Sequence, residues 1–253
     1  MTSSPEKGVL EWLRQRIASR GPQYLVLLDP DRFEPEKTAH LAEISVEGGA
    51  DALLVGGSLS VGGRCGQTVS EIKSRVDVPV IIFPGDAGFV TPEADAVLFL
   101  SLLSGRNPQF LIGEHVRAAP LLMRARLEAI PTAYMLVEGG ATTSVEFMSN
   151  TRPLPRNKPD IAMAHALAGQ YLGMQLAFFD AGSGADQRVP DEVVSAAAEV
   201  LEIPVMVGGG IRTPQAADSL VGAGAAIVVT GDVIEKSGGV GLVGELASAV
   251  HGS

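Results

Sequence analysis

Short runs rich in glycine and aspartate carry most of the chemistry open to this 253-residue chain. They are Asp29-Pro30-Asp31-Arg32, Gly56-Gly57-Ser58, Pro84-Gly85-Asp86, Asp180-Ala181-Gly182-Ser183-Gly184, Gly208-Gly209-Gly210-Ile211-Arg212 and Thr230-Gly231-Asp232. Glycines let backbone N–H groups approach phosphate oxygens, and a helix N-terminus just beyond adds positive potential. The last three runs predict a phosphate cradle as a set, although each alone also fits a tight turn at positive φ. The Asp29 carboxylate and the Ser58 hydroxyl are the kind of sparse oxygen donors that Mg²⁺ accepts when waters and substrate phosphates complete its shell. The Asp-Pro-Asp spacing fits a turn and helix cap equally well, with Asp31 capping or orienting. Asp180 is placed to act as general base on a hydroxyl, or to serve as a structural acceptor for loop amides.

Residues so far apart in sequence form one site only if the fold gathers strand ends. Eight apolar runs read as strands: Gln23–Asp29, Asp51–Val55, Pro79–Phe83, Asp95–Phe99, Thr132–Val137, Gln175–Asp180, Pro204–Val207 and Ala225–Val229. They lack polar alternation, as strands buried on both faces of a parallel sheet do. Helix-period segments include Glu34–Gly48, Lys158–Gly173, Asp191–Glu202, Thr213–Gly222 and Gly241–His251, with an extra helix at Val9–Ser19 set to close the barrel bottom. This pattern predicts a single TIM-type (β/α)8 barrel over residues 1–253, with a doubly wound open sheet as the alternative. Only 11 residues, Pro84–Ala94, separate the third and fourth strands, and two Pro and two Gly among them predict a loop in place of the third barrel helix. In such barrels the site lies at the C-terminal strand ends, where every run above begins. Thr151–Asp160 resembles a linker, but its place after the fifth strand makes it a stiff loop on the active face.

Composition narrows the class. Hydrophobic residues make up 46% and charged residues 19%, enough for a large core. A net charge of −10 disfavours nucleic acid as a partner. The lone Cys65 rules out an internal disulfide or a multi-cysteine metal site. The polar N-terminus carries no apolar leader region, and no apolar run reaches the roughly 18 residues of a membrane span. A cytoplasmic enzyme is expected. His40, His115, His165 and His251 show no metal-ligand spacing, and Gly208–Gly210 lacks the spaced third glycine of a dinucleotide fingerprint.

Taken in order, LLDPDR (27–32), GGADALLVGGS (48–58), PVIIFPG (79–85), ADAVLFLSLLSGRNP (94–108), IPTAYMLVEGG (130–140), PLPRNKPDIAMAHALAGQYLGM (153–174), FFDAGSGA (178–185), IPVMVGGGIRTP (203–214) and VVTGD (228–232) resemble the geranylgeranylglyceryl phosphate synthase family. The resemblance covers nearly the whole chain. It implies a Mg²⁺-dependent prenyltransferase of phospholipid biosynthesis that joins sn-glycerol 1-phosphate to a polyprenyl diphosphate, geranylgeranyl in the family's name. It implies Mg²⁺ at Asp29 and Ser58. It implies glycerol phosphate held by Phe178, Phe179, Asp180, Ala181, Gly182, Ser183 and Gly184 with Gly209, Gly210, Gly231 and Asp232, and Asp180 as the catalytic base. The prenyl tail would lie in a groove beside the missing third helix. The resemblance also implies an even-numbered homo-oligomer and peripheral membrane contact through the lipid substrate. Two motifs depart from the family pattern: Tyr-Leu-Glu is Phe178-Phe179-Asp180 here, and Asp-Pro-Asp-Lys ends in Arg32. A barrel isomerase or lyase acting on a soluble sugar phosphate is the competing enzyme, with Asp29 and Asp180 as its acid–base pair. A degenerate barrel that binds without turnover is the non-enzymatic alternative. An elongated apolar channel separates prenyl transfer from the isomerase, which needs a closed polar pocket.

Overall fold

The computed structural model describes residues 8–59, 62–232, 234 and 240–252. Eight parallel strands close into a barrel in chain order, so the open-sheet alternative is excluded. They are β1 (Gln23–Leu28), β2 (Ala52–Gly56), β3 (Val80–Phe83), β4 (Ala96–Leu102), β5 (Glu128–Leu136), β6 (Leu176–Asp180), β7 (Val205–Gly208) and β8 (Ile227–Thr230). The register sets the strand ends level: Leu28 pairs with Val55, Gly56 with Phe83, and Asp180 with Gly208. β4 runs on to Leu102 because Leu100–Leu102 pair with Thr132–Tyr134, and β5 starts earlier than its sequence signal because Glu128–Pro131 pair with Ala96–Phe99.

Alternation explains the apolar runs. Leu25, Leu54, Ile81, Leu98, Tyr134, Phe178, Met206 and Val229, one from each strand, fill the barrel interior. Their neighbours Val26, Val55, Ile82, Val97, Met135, Phe179, Val207 and Val228 pack outward against the helices. The helical layer comprises α2 (Pro35–Glu47), α3 (Cys65–Lys73), α4 (Glu114–Ala125), α5 (Ser144–Ser149), α6 (Pro159–Tyr171), α7 (Asp191–Ala198), α8 (Pro214–Gly222) and α9 (Val240–His251). Thr213 caps α8, its hydroxyl accepting from the Ala216 amide at 3.2 Å, and Pro214 takes the first helical position.

The helix α1 (Val9–Arg20) precedes β1 and buries Val9 and Leu13 in the inner cluster, so it closes the barrel bottom as expected. Asp51 locks that end: it receives the Tyr24 amide at 2.9 Å, Arg16, and His251 Nε2 at 2.8 Å. Burial pushes the Asp51 carboxyl up, but these partners outweigh it and hold its pKa below the usual range. Between β3 and β4 only a 3-10 turn, Ala87–Phe89, stands where a barrel helix would pack.

Candidate active site

A cavity of about 300 Å³ opens at the C-terminal strand ends. Asp29, Ser58, Phe178, Asp180, Ser183, Gly184, Gly209, Gly210, Gly231 and Asp232 all line it. Residues that the sequence scatters over two hundred positions are thus brought to one opening. Phe179, Ala181 and Gly182 do not line it. Phe179 and Ala181 belong to the outward cluster against the helices, because alternate side chains on a strand face opposite ways. The Gly182 amide is spent inside the protein, on Asp180.

Asp180 sits at the end of β6, 7% exposed. Its Oδ1 accepts the Gly182 amide at 2.8 Å, and its Oδ2 accepts the Tyr134 hydroxyl at 2.7 Å. Burial raises its pKa despite both hydrogen bonds, which pull the other way. A carboxylate kept partly basic inside a cavity is the profile of a general base; two satisfied oxygens are also the profile of a structural acceptor. Sequence reasoning missed Tyr134. Only the strand pairing reveals it, since Tyr134 lies opposite Phe178 and points inward with it. A tyrosine hydroxyl therefore does stand beside this carboxylate, but it comes from β5 rather than from position 178. Burial and the neighbouring Asp180 together hold the Tyr134 hydroxyl far above its ordinary pKa, so it acts as a donor, not as a phenolate.

The glycine turns interlock. Gly209 takes φ +79°, and a Cβ there would stand 2.6 Å from Asp180 Oδ1. Gly210 takes φ +69°, and its Cβ would meet the backbone of Gln187 and Arg188 at 2.8 Å. The bland reading of these two glycines therefore holds as local structure: each is a tight turn that lets loop six and loop seven touch. The same bare backbone faces the cavity. Arg212 then pins the loop after β6 by donating to the carbonyls of Ala185, at 2.5 Å, and Asp186, at 3.0 Å. The Asp232 carboxylate accepts Ser183 Oγ at 3.0 Å and Arg32 at 3.1 Å. Its side chain is thus turned to protein partners, and any hold on an anion falls to the main chain or to Arg32.

On the opposite rim, Asp29 Oδ1 accepts the Asp31 amide at 2.9 Å. The turn part of the turn-and-cap reading is therefore present. The cap part is not: Glu34 precedes α2, and the Asp31 carboxylate instead accepts the Gly62 amide at 3.0 Å. The Asp29 carboxyl lies beside Gly57, whose Cβ would stand 3.4 Å from Oδ2. Burial raises the Asp29 pKa against the Asp31 amide hydrogen bond, which lowers it; the Asp31 and Asp232 charges add to the rise and Arg32 opposes it. Among the described residues no group of three or more His, Cys, Asp or Glu side chains forms a ready metal cage. The donor chemistry here, one carboxylate and one hydroxyl lining the same cavity, fits a Mg²⁺ whose shell is completed by a substrate.

From this rim the cavity leaves the barrel over Phe83, Pro84 and Gly85 and continues into an apolar groove. Its walls are Val97 and Phe99 on the outward side of β4, Ala87 and Val90 in the short β3–β4 connection, Ala118 and Leu122 along α4, and Phe110 in the turn before α4, which packs on the inner cluster. The groove occupies the space that a third barrel helix would fill.

The PcrB family model matches residues 11–247. The geranylgeranylglyceryl phosphate synthase of Thermococcus kodakarensis is 47% identical over 234 residues, covering 92% of each chain. That of Chitinophaga pinensis is 44% identical over 228 residues, covering 90% of each. Among solved structures, the (S)-3-O-geranylgeranylglyceryl phosphate synthase of Thermoplasma acidophilum, in complex with its substrate sn-glycerol-1-phosphate, superposes with a TM-score of 0.92 at 36% identity, covering 97% of this chain and 99% of that one.

Proposed function

The chain belongs to the PcrB family, and from that membership we propose that it is a prenyltransferase joining sn-glycerol 1-phosphate to a polyprenyl diphosphate, geranylgeranyl in chain, to make an ether lipid precursor. The observation that carries this reading is the continuity of the cavity. Glycine turns and a basic carboxylate lie at one end, a second carboxylate and a hydroxyl at the rim, and an apolar groove lined by β4 and α4 continues from it. An isomerase of a soluble sugar phosphate has no use for such a groove, and the relatives carry the name of the transferase.

The reaction follows from these positions. Phosphate sits on the glycine turns, against backbone of Gly184, Gly209, Gly210 and Gly231. Asp180 accepts the proton of the glycerol 3-hydroxyl as its oxygen attacks C1 of the donor. The C1–O bond to diphosphate breaks and its electron pair leaves with the diphosphate. Asp29 and Ser58 would hold Mg²⁺, which supplies charge neutralisation to that leaving group. Asp180 is one methylene shorter than the family's Glu, and the interlocked turns of Gly182 and Gly209 hold its carboxyl up in the cavity. Among the described residues no helix is long and apolar enough to cross a membrane. A cytoplasmic enzyme that meets lipid at the membrane surface and assembles as an even-numbered homo-oligomer completes the proposal.

The deciding assay incubates the protein with glycerol 1-phosphate and labelled prenyl diphosphates of several lengths, with Mg²⁺ or with EDTA. An ether product formed only with Mg²⁺ is the expected result; its absence with every donor favours the degenerate barrel. A crystal grown with glycerol phosphate should place the phosphate against the amides of Gly184, Gly209, Gly210 or Gly231. An anion bound solely at the other barrel face overturns the cradle. Tyr134→Phe removes a hydrogen bond that lowers the Asp180 pKa. The acid limb of the pH–turnover profile should therefore move to higher pH, with the rate falling at any pH on that limb. An unmoved profile removes Asp180 from the proton transfer.

A further inference from the structure

Missing a helix, the barrel wall between β3 and α4 has to be held open by other means. Two side chains at the start of α4 do this. Glu114 Oε2 accepts the Ala87 amide at 2.9 Å, tying α4 to the 3-10 turn that follows β3. His115, 8% exposed, reaches the other way, to β4. Its Nε2 lies 3.2 Å from Ser101 Oγ, and its ring meets Phe99 edge-on with centroids 4.3 Å apart. Ser101 has one proton, and its hydroxyl also lies 3.2 Å from the Leu111 carbonyl. The arrangement is satisfied when Ser101 donates to Leu111 and receives the Nε2 proton. Nδ1 is then a bare acceptor, and among the described residues it has no partner. Burial lowers the His115 pKa, so the ring is neutral in this setting. A buried neutral histidine with one nitrogen unpaired is an unusual choice of wall for an apolar groove. Leucine or phenylalanine would fill the space, but neither would bind β4. His115, Phe99, Ala118 and Leu122 all line the groove, so the ring forms part of the wall that it ties to β4.

We propose that His115 is a positioning residue for the prenyl donor: by holding α4 to Ser101 and bracing Phe99, it fixes the width of the groove beside β4 and with it the preference for long-tailed donors. This rests on the reading that the groove takes the donor's tail. On that reading the diphosphate and the reacting carbon lie at the barrel mouth by Asp29 and Ser58, and a tail too short to reach the β4–α4 groove does not sense His115.

The test compares geranylgeranyl diphosphate with the shorter geranyl diphosphate in steady-state kinetics on the full-length enzyme. His115→Ala and Ser101→Ala should each raise KM for the long donor about tenfold, the equivalent of one lost hydrogen bond. The same variants should leave kcat, KM for glycerol phosphate and KM for the short donor within about twofold. His115→Gln, whose amide N–H can still reach Ser101, should restore the long-donor KM. If both alanine variants lose all substrates in proportion, or lose thermal stability alone, His115 is a packing residue and the proposal fails. A wild-type preference for the long donor that survives in both variants overturns the role of His115 alone. A wild-type enzyme with no such preference overturns the groove reading and this proposal together.

Discussion

Asp180→Asn is expected to lower turnover by roughly 10²-fold or more while changing glycerol phosphate affinity little. The substitution is nearly isosteric. Its oxygen can still accept the Gly182 amide, and Tyr134 can rotate its hydroxyl to accept from the new amide, so the turn of loop six is kept. What is lost is the ability to take a proton. Stability supplies a separate readout. Burial raises the Asp180 pKa in the folded protein, so ionisation opposes folding at neutral pH. Removing the charge should leave the melting temperature unchanged or higher. Asp180→Glu should be tolerated and should raise the rate if the shorter reach limits it, since a misplacement of about 1 Å can cost on the order of 10²-fold. The wild-type pH profile should show its acid limb above the ordinary aspartate range, because the base must be ionised. A change confined to the Michaelis constant in Asp180→Asn would make Asp180 a binding acceptor and leave the base unassigned.

Asp29→Asn should abolish Mg²⁺-dependent turnover at unchanged thermal stability. The Asp31 amide can bond the asparagine oxygen as it bonds Oδ1 now, so the turn after β1 survives. The folded-state pKa of Asp29 is raised by burial, so its charge contributes no stabilisation that the substitution would remove. A metal ligand and a turn residue therefore part company in this one variant. Near-normal turnover, or a protein that no longer folds, would leave Asp29 as the turn residue alone. Raising Mg²⁺ gives a further check: partial recovery at high concentration is the signature of a weakened metal site, and a lost turn would not respond.

Much of this site is legible in the order of residues alone. Asp180 ends a strand, Asp29, Ser58, Gly209, Gly210 and Gly231 follow one within two residues, and a parallel barrel must bring strand ends to one face. The absent helix is legible too, since Pro84–Ala94 is too short and too rich in Pro and Gly to hold one. The illegible parts share a cause. Tyr134 lies in the middle of an apolar run on β5, and only its pairing with β6 puts its hydroxyl on Asp180. Phe179 and Ala181 sit inside a glycine-rich motif, and only the parity of β6 turns them away from the cavity. His115 falls in a helical segment with no metal spacing, and only the packing of α4 on β4 sets it against Phe99 and Ser101.

The sequence by itself determined the element order, the barrel, the face that bears the site and the residue types available there. Those properties follow from local periodicity and from glycine and proline, whose conformational rules act within a few residues. The tertiary structure alone decided which of those residues share a proton, which turn inward and what shape the space between them takes. Contacts between strands and helices distant along the chain depend on register and packing, and neither is written in any local pattern.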